Sequence, residues 1–137
     1  MLAAVENEDS DPDVVRIVLE KFKSSYSPKE FSSIVNYKRT STTLKWKGIY
    51  FVAKALYRTG ASKAGLMAYL ALDSGTTALN LAVMRGDVEI VKILLEHGAD
   101  PYIENDLGMN AFDICRKAGP YRSVMKALHL KMKNHSV

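Results

Sequence analysis

The chain has 137 residues, 47% of them hydrophobic, and a formal charge of +4, enough to bury a core without covalent staples. Its only cysteine, Cys115, excludes an intramolecular disulfide and a cysteine-built zinc site, which predicts a reducing compartment, the cytosol or nucleus. The longest uncharged apolar run, "AGLMAYLAL", falls far short of the roughly 20 residues that span a bilayer, and the opening "MLAAVENEDSD" has neither the flank and core of a signal peptide nor a second-position glycine.

In chain order, five carboxylates come first: Glu6, Glu8, Asp9, Asp11 and Asp13. Asp11-Pro12 is a sound helix start, followed by "DVVRIVLEK". Ser27-Pro28-Lys29-Glu30 has the capping-box arrangement and predicts a short helix carrying Phe31, Ile34 and Val35. Thr42 or Thr43 can cap "LKWKGIYFVAKALYRTG", in which Trp46, Ile49, Tyr50, Ala53, Leu56 and Tyr57 fall on one helical side before Gly60 stops it. Ser62 then starts "SKAGLMAYLAL", completing a helix pair, although "AYLAL" suits a strand equally well. Between Phe31 and Leu72 stand Lys38, Arg39, Lys45, Lys47, Lys54, Arg58 and Lys63 with no acidic residue, a positive field confined to the middle of the chain. From Ala71 onward eight basic residues balance eight acidic ones.

The rest of the chain repeats itself. A shift of 33 residues lays "DSGTTALNLAVMRGDVEIVKILL" from Asp73 over "DLGMNAFDICRKAGPYRSVMKAL" from Asp106, pairing Gly75 with Gly108, Ala82 with Cys115, Gly86 with Gly119 and Leu95 with Leu128. Each unit predicts a cap (Thr77, Asn110), a short helix closed near Gly86 or Gly119, and a longer second helix. In the first unit Asp87 is the expected N-cap of the longer helix, Val88, Val91, Leu94 and Leu95 its apolar side, and Gly98 its stop. "GADPYIENDLG" reads as a hairpin-like loop. A partial echo comes earlier: "DPDVVRIVLEK" lies over "DVEIVKILLEH" at an offset of 76 residues, with "LAA" at Leu2 over "LAV" at Leu81.

A 33-residue unit of turn, short helix, tight turn, longer helix and "GADP" resembles an ankyrin repeat, most closely over "GTTALNLAVMRGDVEIVKILLEHGADP". Ala78 stands where the family pattern has proline and Asn80 where it has histidine, and the next unit reads "NAFDIC", which weakens pre-set helix entry but leaves the fold unchanged. The resemblance implies an all-α ankyrin-repeat solenoid of stacked antiparallel helix pairs with hairpin-like loops. Its units would be a truncated first repeat (2–23), an enlarged diverged repeat (24–72), a full repeat (73–105) and a C-terminal capping repeat (106–133). It also implies a non-enzymatic module that presents a concave face to a protein partner. Carried over by position, that face comprises Tyr102, Glu104, Asp106, Leu107 and Met109 at the loop tip and Met84, Arg85 and Lys117 on the short helices, with Met84 and Leu107 expected to be exposed.

No catalytic, metal or cofactor site is expected. Cys115 could pair with His97, His129 or His135 as a nucleophile, but it occupies the small buried position of Ala82. His97 is placed to meet helix-end carbonyls, and His129 and His135, six apart, point to different helix faces. No P-loop or dinucleotide glycine pattern occurs. An alternative function uses the field of Lys38, Arg39, Lys45, Lys47, Lys54, Arg58 and Lys63, with Trp46, Tyr50 and Tyr57, to bind phosphoinositide or nucleic acid. Set against it is the reading in which the aromatics pack between repeats and the lysines are solvated. A second alternative is a structural or regulatory fragment of a larger ankyrin protein, whose open end at "MLAA" pairs with another copy or with upstream repeats.

Overall fold

The computed structural model describes residue 5 and residues 11–40, 44–60, 65–119 and 121–135. Among the described residues there are eight helices: α1 (Pro12–Ser25), α2 (Pro28–Val35), α3 (Leu44–Arg58), α4 (Gly65–Asp73), α5 (Ala78–Arg85), α6 (Val88–Glu96), α7 (Ala111–Ala118) and α8 (Arg122–His135). The regular structure of the described residues is all-helical, and "AYLAL" belongs to α4, so its strand alternative is not realised.

Local chemistry sets four of the eight helix starts, while the caps expected at Thr42 or Thr43 and at Ser62 lie outside the described residues. The Asp11 carboxylate accepts from the Asp13 amide at 2.9 Å, with Pro12 opening α1. The capping box of α2 is complete: the Glu30 amide donates to Ser27 Oγ, and the Ser27 amide donates to Glu30 Oε2. Thr77 Oγ1 accepts from the Asn80 amide at 3.2 Å to start α5, and Asn110 Oδ1 accepts from the Phe112 and Asp113 amides to start α7. Gly86 ends α5 in the left-handed region at φ +75°, and a Cβ there would run into the Tyr121 ring. Asp87 stands at the start of α6 but makes no capping bond, because its carboxylate pairs with Arg85 Nε at 3.2 Å.

The stack follows from the repeat. α5 packs on α7 and α6 on α8, with α5 against α6 and α7 against α8 inside each pair. Leu79, Leu81, Val91 and Leu94 of the first pair join Ile114, Val124 and Leu128 of the second in one buried core. Full burial of an aliphatic side chain contributes about 1.5–3 kcal/mol, so these facing stripes dominate the stability of the second half. The hairpin-like loop closes with the Asn105 amide donating to Met109 O at 2.9 Å and the Ala111 amide to Pro101 O at 3.1 Å.

α1 touches α6 directly, through buried Val15 and Leu19 and through the Arg16–Glu96 and Glu20–His97 pairs. The helix pair expected to intervene does not. Among the described residues of 26–72 the chain makes an excursion: α2 packs on α1 and adds Phe31 and Val35 to the core, α3 and α4 stand outside the α1–α6 contact, and the stack resumes at Asp73. Within that excursion α3 and α4 pack on each other. The segment after α2 is tied to the stack by Asn36, which accepts from the Asp100 amide and donates to Gly98 O, and by the Arg39 amide, which donates to Thr76 O at 2.7 Å.

Candidate interaction surface

The turn that opens the repeat, Asp73 to Thr77, is where the excursion meets the stack. Asp73 is buried, and its Oδ2 accepts from Arg39 Nη1 at 2.6 Å and from the Tyr50 hydroxyl at 3.0 Å. Burial, followed by the Asp73 charge and hydrogen bond, raises the Tyr50 phenol, which keeps it protonated and donating. Repeat-to-repeat bonds continue the same seam: the Asp106 amide donates to Ser74 O, Ser74 Oγ donates to Asp106 Oδ2 at 2.6 Å, and Asn105 Nδ2 donates to Leu72 O at 2.9 Å. Gly75 (φ +70°) has no room for a side chain, since a Cβ would strike the Asp106 carboxylate.

α3 runs along these tips. Lys54 Nζ lies 3.5 Å from Asp106 Oδ2, and Lys117 Nζ of α7 lies 5.6 Å from the Tyr57 ring centroid. Two cavities open along the seam. The first, about 530 Å³, is lined by Lys38, Arg39, Lys47, Tyr50, Lys54 and Asp106 among others. The second, about 510 Å³, is lined by Tyr57, Arg58, Leu107, Met109 and Lys117.

Of the residues carried over from the ankyrin resemblance, Tyr102 and Glu104 are exposed, Tyr102 with its ring tilted against Phe112 at 5.8 Å. Asp106 and Lys117 are exposed but engage α3, and Leu107 is half-buried. Met84 and Met109 depart from expectation: both are buried in the core, Met84 because α5 is enclosed by its neighbours and Met109 because the Asn105 side chain folds the loop inward. Arg85 is half-buried, donating to Val5 O and pairing with Asp87.

The basic field is divided. Lys38, Arg39, Lys47 and Lys54 share the first cavity, Arg58 lines the second, Lys45 is exposed on neither, and Lys63 lies outside the described residues. Arg39 and Lys54 are committed to Asp73 and Asp106. Of the aromatics, Tyr50 and Tyr57 pack at the seam, while the Trp46 side chain lies outside the described residues. Asp73, Ser74 and Asn105 join the seam without having been expected there, although Asp73, the first acid after a long acid-free stretch, carries a signal in the sequence.

The groups considered for catalysis have structural surroundings. Cys115 is buried, its Sγ is 3.7 Å from Tyr121 O, and burial raises its thiol above the ordinary value, which disfavours the thiolate. His97 bridges Ile93 O through Nδ1 and Glu20 through Nε2, and His129 packs on the Phe112 ring at 5.4 Å. No described helix is long and apolar enough to cross a membrane.

A profile of the ankyrin repeat matches residues 74–106. The chain is 38% identical over 80 residues to a protein named E3 ubiquitin-protein ligase XBAT34 of Arabidopsis thaliana, a match covering 58% of this chain and 20% of that protein. It is 36% identical over 75 residues to the ankyrin repeat and KH domain-containing protein mask-1 of Caenorhabditis elegans, covering 54% of this chain and 3% of that one. It is 45% identical over 41 residues to regulatory protein SWI6 of Saccharomyces cerevisiae, covering 30% of this chain and 5% of that one. The chain thus spans a fifth or less of these relatives. Ankyrin repeats are protein-interaction modules, and residues 74–106 match one such repeat, set among the described residues in an all-helical stack.

Proposed function

We propose that the chain is a non-enzymatic protein-binding module whose contact face is the seam between the loop tips and α3. The observation that carries this reading is the continuity of the two: Lys54–Asp106 at 3.5 Å and Lys117–Tyr57 at 5.6 Å join tip, inner helix and α3 into one surface. Half-buried Leu107 lines a cavity of about 510 Å³ on that surface, and exposed Tyr102 and Glu104 belong to the same loop. Aromatic and basic side chains beside a concavity are the residue types in which binding energy concentrates. Stacked helices hold them in place before contact, so little ordering entropy is lost on binding.

The test is affinity capture from cell extract with quantitative mass spectrometry. The wild-type chain is compared with a Tyr102→Ala, Leu107→Ala, Lys117→Ala variant shown by circular dichroism to be folded. Partners held by the wild type are expected to fall by roughly tenfold or more with the variant. An unchanged set of partners at unchanged yield contradicts the assignment.

A further inference from the structure

We propose that the cavity between residues 36–40, α3 and the Ser74–Gly75 turn receives an extended acidic peptide segment of the protein partner, one carboxylate seating between Lys38 and Lys47. The inference rests on the protein-binding reading above and supplies the chemistry of what is bound.

The charge of this cavity is unbalanced by construction. The acid-free stretch from Phe31 to Leu72 supplies Lys38, Arg39, Lys47 and Lys54, while the stack supplies Asp106 to the lining and Asp73 behind it. Both carboxylates are already engaged, Asp73 by Arg39 and Tyr50, and Asp106 by Ser74 and Lys54. Lys38 and Lys47 have no carboxylate partner among the described residues. Lys38 is half-buried, and a concave, low-dielectric wall strengthens the field of the ammonium groups that line it. A partner's carboxylate satisfies that field without displacing a bond the fold uses.

Three features favour a peptide over a polyphosphate or a lipid surface. First, the volume, about 530 Å³, lies within the range of pockets that enclose small groups. Second, the positive groups do not form a continuous track: Arg58 and Lys117 line the other cavity, and the Asp106 carboxylate, 42% exposed, stands on the wall of the first. A nucleic-acid backbone needs several cations in succession and is repelled by that carboxylate. Third, Phe51, 70% exposed, stands one helical turn beyond Lys47 on α3. An apolar residue neighbouring the acidic one in an extended peptide reaches it, whereas half-buried Lys38, set in the concavity beside exposed Lys47, is poorly placed to meet a flat membrane.

The experiment is fluorescence anisotropy on the full chain with a labelled peptide alternating glutamate and leucine. The same peptide with glutamine for glutamate serves as the neutral probe. Lys38→Glu/Lys47→Glu alters the cavity, and Lys21→Glu/Lys29→Glu makes the same charge change on α1 and α2. The glutamate peptide is expected to bind at least roughly tenfold more tightly than the glutamine peptide, and the cavity variant to lose roughly tenfold or more. The control variant is expected to lose about threefold or less. Lys38→Gln/Lys47→Gln replaces the reversal variant if circular dichroism shows that variant unfolded, with the same expected loss. The proposal is overturned if the glutamate peptide does not bind, if both double variants lose affinity equally, or if a single-stranded oligonucleotide or phosphoinositide vesicles bind more tightly than the peptide. Capture from extract separates the two readings. Partners retained by the cavity variant at wild-type level overturn the cavity and leave the tip surface standing; no partner on either chain overturns both.

Discussion

Asn105 shows what a single buried side chain does in this architecture. Its Oδ1 accepts from the Leu107 and Met109 amides at 3.0 Å, and its Nδ2 donates to Leu72 O at 2.9 Å, so one amide group folds the loop and ties it to the preceding turn. Asn105→Ala leaves those partners unsatisfied in a buried site and is expected to destabilise the protein by roughly 2–4 kcal/mol in urea unfolding. A loss below about 1 kcal/mol counts against the bonding described. The caps at Ser27, Thr77 and Asn110 were legible in the sequence because their partners lie within three residues. Asn105 was not, because Leu72 is 33 residues away. Met84 and Met109 were misplaced for a related reason: spacing along one helix or loop does not show which neighbour covers its remaining face.

At the scale of elements, the start and extent of most helices followed from local signals, but the partner of α1 did not. The offset of 76 residues between the two related helices predicts an additional stacked pair, yet α1 lies on α6 and the extra length goes sideways into α2, α3 and α4. Apolar stripes state that a helix is covered without stating by which one. The α1–α6 contact carries a titratable bond, Glu20 to His97 Nε2 at 2.8 Å, and that bond holds the Glu20 carboxyl below its ordinary value, aided by the charges of Lys23 and Arg16. A carboxyl lowered by folding contributes stability that is fully present above its unfolded value and is lost as pH falls through the lowered one. Glu20→Gln is therefore expected to lower stability near neutrality and to flatten the acid limb of stability against pH, followed by thermal melts. An acid limb unchanged by the substitution contradicts the linkage.

The molecule as a whole is a short pile with an appendage. Two complete helix pairs, α1 and α2 share one core, which Leu72 at the end of α4 also joins, and the α3–α4 pair is pinned to the loop-tip side of that pile by Arg39 and Tyr50 on Asp73 and by Lys54 on Asp106. Under the proposed function that appendage shapes the surface offered to a partner, since Asp106 and Lys117, carried over from the ankyrin resemblance, engage α3. The unit boundaries at 2–23, 24–72, 73–105 and 106–133 stand as a proposal within this arrangement. The arrangement rests on the direct seating of α1 on α6, because only then do the described residues of α3 and α4 lie beside the pile and build the seam. Intramolecular cross-linking of Arg16→Cys with Glu96→Cys, in a Cys115→Ser background, tests it with a bismaleimide that spans about 10 Å, the separation of adjacent packed helices. Efficient closure within a folded monomer and its loss in denaturant are expected; a folded double-cysteine chain that fails to close, as an intervening helix at roughly twice that separation would require, contradicts the direct seating.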